Sequence, residues 1–254
     1  MLFDTHTHYD DRKFTEDRYE ILEDLKNHDV TYALNAGCDL KTSQMSIFLA
    51  EKYDFLYASV GFHPHSASEF KDSDLSILEN MASHNKVKAI GEIGLDFFYD
   101  NSPRDIQKDV FKKQIDLAVR LDMPVVIHDR DAHKECLDII KTNPPKKLVY
   151  HCYSGSLEYA KILIKMGYKM SFGGAITFNN AKVSRDVIKN IPMDCIMLET
   201  DCPYLTPVPH RGKKNDSRYI NLVAEKIAEI KGISYEEVCS ITMQNAKDFF
   251  EITE

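Results

Sequence analysis

The chain has 254 residues, with 32 Lys and Arg against 40 Asp and Glu for a formal charge of -8, and is long enough to close one large hydrophobic core. The acidic balance excludes a surface built for strong non-specific nucleic-acid binding, which relies on surplus Lys and Arg neutralising phosphates. A nucleic-acid substrate would have to be held locally, by bound cations and a few basic side chains. No window approaches the ~18 apolar residues of a membrane span, and no basic segment followed by an apolar run opens the chain. A mature, buried N-terminus and no membrane attachment are therefore expected. Cys38, Cys136, Cys152, Cys195, Cys202 and Cys239 show no C-x-x-C spacing and read as reduced thiols of a cytoplasmic protein. A single domain over residues 1–254 is expected, with no obligate protein partner implied.

Short apolar, β-branched runs alternate with longer amphipathic stretches along the whole chain. In order, the runs are Leu2 to Asp4, Thr31 to Asn35, Leu56 to Phe62, Val87 to Glu92, Pro124 to His128, Leu148 to His151, Lys169 to Gly173 and Ile196 to Glu199. Between them lie helical patterns. Ile106, Val110, Phe111, Ile115, Ala118 and Leu121 form one apolar stripe, with Ser102 and Pro103 at the expected N-cap and first helical position. Ile139 and Ile140 follow Cys136 in another, closed by Pro144 and Pro145. Ile162, Leu163 and Met166 mark a third, ended by Gly167 where a left-handed residue is preferred. Two more, Ser217 to Lys231 and Ser234 to Phe250, flank Gly232. Regular alternation implies parallel strands with right-handed crossovers. Eight such units predict a (β/α)8 TIM-type barrel, typically ~250 residues, with additional C-terminal helices. A doubly wound open sheet is disfavoured, because His8, Tyr9, Asp10 and Asp11 stand where a G-x-G-x-x-G turn would follow the first strand.

Phe3-Asp4-Thr5-His6-Thr7-His8 begins almost at the first residue. Side chains alternate across a strand, so His6 and His8 share one face and can hold one metal ion. Alone, the pair reads as readily as hydrogen-bonded histidines near a terminus. Later strand ends, where barrel active sites lie, add His63 and His65, Glu92, His128, His151 and Glu199-Thr200-Asp201. The four imidazoles of His6, His8, His128 and His151 and the two carboxylates of Glu92 and Asp201 are by themselves too many donors for one tetrahedral ion with an open position. They suit two divalent ions that activate a water for hydrolysis. No Gly-x-Ser-x-Gly elbow competes, and Cys152-Tyr153-Ser154-Gly155 is a poor nucleophile motif directly after His151.

These blocks resemble the TatD family of metal-dependent deoxyribonucleases, within the amidohydrolase-like superfamily. The matching segments are Asp4-Thr5-His6-Thr7-His8, Gly61-Phe62-His63-Pro64-His65, Gly91-Glu92-Ile93-Gly94-Leu95-Asp96, His128-Asp129-Arg130-Asp131-Ala132, His151-Cys152-Tyr153-Ser154-Gly155 and Glu199-Thr200-Asp201-Cys202-Pro203-Tyr204-Leu205. The resemblance implies a TIM-type barrel that removes nucleotides from DNA, often from the 3′ end, with two divalent cations. By the same resemblance His6, His8, Glu92 and Asp201 hold one metal, Glu92, His128 and His151 hold the other, and Glu92 bridges. Asp201 would also orient the attacking water or accept its proton.

His63 is the candidate for contacting the scissile phosphate or leaving oxygen. His65 serves either as a substrate contact or as loop packing, and Arg130 either meets a phosphate or pairs with Asp131 or Glu135. Tyr204, in the last block, is a further candidate for contacting the substrate. Pro207-Val208-Pro209-His210-Arg211-Gly212-Lys213-Lys214-Asn215 resembles the family's Arg-x-Gly-Lys-x-Asn segment, and there Arg211 and Lys213 would attract a polyanion. The usual proline two residues beyond that Asn is replaced by Asp216-Ser217, a helix N-cap sequence. Phe97-Phe98-Tyr99 either stacks a base or packs as a loop, and Asp96 reads as a loop cap or a support for a ligand. Expected, then, is a two-metal phosphodiesterase acting on ends of DNA or RNA, with Mg, Mn or Zn as cofactor. The alternatives are a hydrolase of another ester or amide, including an aminoacyl ester on transfer RNA, and a metal-binding partner protein without catalysis.

Overall fold

The structure is a computed structural model and describes residues 1–253. In chain order the elements are β1 (Leu2–Thr7), α1 (Arg18–Asp24), β2 (Val30–Ala36), α2 (Leu40–Lys52), β3 (Leu56–Val60), α3 (Asp74–Ala82), β4 (Val87–Asp96), α4 (Arg104–Leu121), β5 (Val125–Arg130), α5 (His133–Thr142), β6 (Leu148–Tyr150), α6 (Leu157–Lys165), β7 (Lys169–Phe172), α7 (Lys182–Asn190), β8 (Ile196–Leu198), α8 (Ile220–Lys231) and α9 (Tyr235–Phe250). The strands form one eight-stranded sheet in sequence order. The β1/β2, β3/β4, β4/β5, β5/β6 and β7/β8 pairs are all parallel. Thr7 also bridges Cys202 in parallel just beyond β8, so the last strand meets the first. This is a (β/α)8 TIM-type barrel with an added C-terminal helix, α9. Among the described residues no helix is long and apolar enough to cross a membrane.

The chain divides into two compact units: Met1–Asn35 with the segment from Cys152 onward, and Ala36–His151. In the second unit α4 does more than cover the sheet. Val110, Phe111, Ile115, Leu117 and Ala118 are buried, and so are Gln107 and Gln114 on the same face, seven residues apart. Gln107 Oε1 accepts from the Asp96 backbone N–H (2.9 Å) while its Nε2 donates to Asp96 O (3.1 Å). Gln114 clasps Phe62 in the same way, at 2.7 and 3.0 Å. A buried primary amide supplies both a donor and an acceptor, which satisfies strand-end backbone where no neighbouring strand can. Two segments that carry site residues are thereby fixed to one helix. The sequence pattern was off at its start: Pro103, not Ser102, is the N-cap, and Ile106 is 37% exposed. Ser102 Oγ is engaged elsewhere, donating to His65 O and accepting from Ser68 N.

In the first unit Tyr9, Phe14, Ile196, Met197, Ile220, Val223, Ile227, Phe249 and Phe250 are buried together with β1 and β8. Helix α8 stops at Gly232 with φ 68°, and α9 starts with a capping box in which Ser234 and Glu237 bond each other's backbone. The expected helix from Ser217 is a 3-10 turn over Ser217–Tyr219, capped by Asp216, and only then continues as α8.

Candidate metal centre

In the second unit the site is built around one carboxylate oxygen. Glu92 lies in β4, 3% exposed. Its Oε1 stands 2.8 Å from His151 Nε2, 2.9 Å from His128 Nδ1 and 3.4 Å from His63 Nε2. The two imidazole nitrogens of His128 and His151 face each other at 3.2 Å. Glycine makes the convergence possible. Gly94, opposite His128 in the β4/β5 register, has φ 146°, and a Cβ there would stand 1.9 Å from His128 O. The backbone then delivers the side chains: His151 N donates to Ile127 O (3.0 Å) and His63 N to Cys38 O (3.0 Å).

Asp96, fully buried, supports this cluster with both oxygens. Oδ2 accepts from His128 Nε2 (3.1 Å) and His65 Nε2 (2.9 Å); Oδ1 accepts from the Phe98 and Tyr99 N–H groups at 3.0 and 2.8 Å. Asp96 is thus a loop cap, and with its other oxygen it holds the His128 and His65 rings. In the neutral ring, a carboxylate at Nε2 keeps the His128 proton there and leaves the Nδ1 lone pair facing Glu92. Burial lowers the His128 pKa, but the hydrogen bonds and charges of Asp96 and Glu92 outweigh it and raise it to about 9. Burial drives His63 the other way, down to about 4 against the pull of Glu92. His63 is therefore neutral at pH 7, and because its Nδ1 accepts from His65 N (3.1 Å), its proton sits on Nε2.

In the first unit His6 Nε2 and His8 Nε2 stand 3.1 Å apart, and His8 Nε2 is 3.5 Å from Asp201 Oδ1. The strand alternation expected for the two histidines brings their nitrogens together. Asp201 N donates to His6 O (3.0 Å) and His8 N to Cys202 O (2.9 Å), so the segment after β8 is zipped onto the end of β1. Beneath it lies buried Asp4, whose Oδ1 accepts from Thr200 N (2.8 Å) and whose Oδ2 accepts from Thr200 Oγ1 and Ser217 Oγ, each at 2.6 Å. Burial raises the Asp4 pKa to about 6 despite these bonds. Glu199, also fully buried, accepts from Cys152 N (2.7 Å) and from Ser171 Oγ, and so holds the turn that follows His151 in the chain.

The substrate candidates fall in separate places. His65 is bonded to Asp96, as above. Arg130 makes neither expected ion pair; its guanidinium lies 4.2 Å from the Phe98 ring centroid and 4.7 Å from that of Tyr99. In the first unit Tyr204 donates its hydroxyl to Asp11 Oδ2 (2.7 Å) beneath Lys13, and Arg211 stacks on Phe178 at 3.7 Å. Lys213 is exposed, whereas neighbouring Lys214 is tied to Asp17 at 2.6 Å. Asn215 secures this loop, donating to Thr200 O (2.9 Å) and Tyr204 O (2.6 Å). Asp4, Glu199 and Cys38, whose Sγ lies 3.7 Å from Glu92 Oε2, have no role that the sequence alone assigns. Asp4 and Glu199 stand inside the matching blocks, which was the available signal; Cys38 carries none.

The donor set suits a divalent cation. Glu92 Oε1, His128 Nδ1 and His151 Nε2 lie within 3.2 Å of one another, and burial removes water that would otherwise satisfy them. The profile of the TatD related DNase family matches residues 3–251. The uncharacterized metal-dependent hydrolase YabD of Bacillus subtilis is 44% identical, covering 99% of this chain and 100% of its own length. YcfH of Escherichia coli K12, bearing the same description, is 33% identical over 99% of this chain and 96% of its own. The crystal structure of YJJV, a TatD homolog from Escherichia coli K12, superposes with a TM-score of 0.93 at 30% identity, covering 99% of this chain and 98% of that one. With its fold, its ligand blocks and these likenesses in agreement, the chain belongs to the TatD family of metal-dependent hydrolases.

Proposed function

We propose that this chain is a two-metal phosphodiesterase that releases nucleotides from the 3′ ends of DNA. The observation that carries the reading is the crowding of three imidazole nitrogens onto one buried carboxylate oxygen, Glu92 Oε1, with one of the three, His63, held as a neutral N–H donor. By the family resemblance, His6, His8, Glu92 and Asp201 would hold one cation and Glu92, His128 and His151 the other. When bound, the two cations supply an ionised water and neutralise charge on the phosphate. The protein supplies the rest. Asp201 takes the proton of the attacking water, since a carboxylate held beside cations stays ionised. His63 directs its Nε2–H at the leaving oxygen. Arg211 and Lys213 draw the polyanion towards the site despite the net charge of -8, and Tyr204 steadies the loop that bears them.

The test is an assay with 3′-labelled and 5′-labelled single-stranded oligonucleotides, in DNA and RNA form, with Mg, Mn or Zn and after chelation. Chelator-sensitive release of the 3′ label ahead of the 5′ label is expected. No release from any strand, with turnover of a carboxylic ester or amide instead, would replace this reading by another hydrolysis on the same scaffold.

A further inference from the structure

Two large aromatic side chains beside the ligand cluster are left facing solvent. Phe98 and Tyr99 are 56% and 54% exposed. Their rings meet edge to face, centroids 4.9 Å apart at 89°, and Tyr99 in turn meets the His65 ring at 5.6 Å. The exposure does not come from a loose loop. Asp96 Oδ1 binds both backbone N–H groups, and Arg104 ties the far side by bonding Asp100 (2.6 Å) and Phe97 O (3.1 Å). The Arg130 guanidinium lies over both rings, and among the described residues no carboxylate pairs with it. An exposed pair of π faces with an uncompensated planar cation, on a fixed backbone, matches what grips unpaired bases without sequence preference. Through His65 and Asp96 the cluster is two hydrogen bonds from His128, so a chain stacked here has its phosphates near the ligands.

Resting on the nucleic-acid reading above, we propose that Phe98, Tyr99 and Arg130 form a stacking subsite for a base of a single-stranded nucleic acid. The base adds to the aromatic pair, and Arg130 serves both as a stacking plane and as a partner for the flanking phosphate. Recognition is then of unpaired bases and not of sequence, because every base has a π face whereas the bases inside a duplex keep both faces stacked on their neighbours.

The protein has no tryptophan, so Tyr99→Trp places a single fluorophore at the subsite. Chelated Tyr99→Trp protein is titrated with an eight-nucleotide oligothymidylate and with an abasic strand of equal length and charge. In parallel, the KM of the metal-loaded wild type and of the Phe98→Leu/Tyr99→Leu variant is measured on both strands, leucine keeping apolar bulk without a ring. Expected are quenching by the base-bearing strand alone, and a KM raised about tenfold or more on that strand with little change on the abasic one. Equal quenching by both strands, or a KM change that is absent or the same on both, overturns the subsite. If wild type cleaves neither strand while the base-bearing one still quenches, the hydrolytic reading fails and the subsite stands.

Discussion

Replacing Asp96 by Asn tests whether a single carboxylate sets the working tautomer of His128. Asp96 Oδ1 accepts two backbone N–H groups, at 3.0 and 2.8 Å, so an Asn amide must keep its oxygen there. Its NH2 then faces His128 Nε2 and His65 Nε2, which now have to accept. An imidazole that accepts at Nε2 carries its proton on Nδ1, the nitrogen that faces Glu92 Oε1 at 2.9 Å. That nitrogen is then lost as a ligand until the ring pays a tautomeric exchange. Changing such a support to a ligand lowers metal affinity by roughly 10- to 100-fold, about 1.4 to 2.8 kcal/mol. Shape and the loop cap are retained, so the folding midpoint in urea should fall only slightly. Competition against a chromophoric chelator, with Mn or Zn, resolves the tight and weak equivalents separately. One equivalent should weaken and the other hold. An Asp96→Asn protein that binds both as the wild type does would refute the tautomer argument, and Asp96→Ala, which leaves two backbone donors unpaired, should lose stability as well.

Other outcomes follow from the same geometry. Asp201→Asn should fold normally yet lose most turnover, as read by nucleotide release and thermal unfolding together; near-wild-type rate defeats its role as proton acceptor. Gly94→Ala drives a methyl into His128 O and should cost more than ~3 kcal/mol in urea unfolding; a loss under ~1 kcal/mol contradicts the close approach of β4 and β5. Arg211→Ala should raise the KM for an oligonucleotide more than for a small phosphodiester and flatten its salt dependence; equal effects on both count against the loop as a polyanion guide.

The eight strands were legible because β-branched runs bounded by turn residues recur with helical stripes between them, and the two C-terminal helices because Gly232 and Ser234 punctuate them. Strand lengths were not. β1 continues to Thr7 and β4 to Asp96, although Thr, His and Gly interrupt the apolar pattern, because those residues are buried by site contacts rather than by hydrophobicity. The same cause hid the supports of the site. Gln107 and Gln114 look like the polar side of α4, yet they are buried to bind backbone. Asp4 and Glu199 are carboxylates whose partners lie far away in sequence, Asp4 with Ser217 and Glu199 with Ser171. The candidate ligands recur in readable blocks because chemistry restricts their type; the groups bonded to them are set by tertiary distance, which no local pattern carries.

On the proposed reading, two cations and not one are needed for phosphodiester hydrolysis. Chelated protein should be titrated with Mn while release of nucleotides from a 3′-labelled strand is followed, beside Glu92→Gln under the same conditions. Activity should plateau at two equivalents in the wild type and be absent at any loading in Glu92→Gln. A plateau at one equivalent, or cleavage that survives in Glu92→Gln, would contradict it.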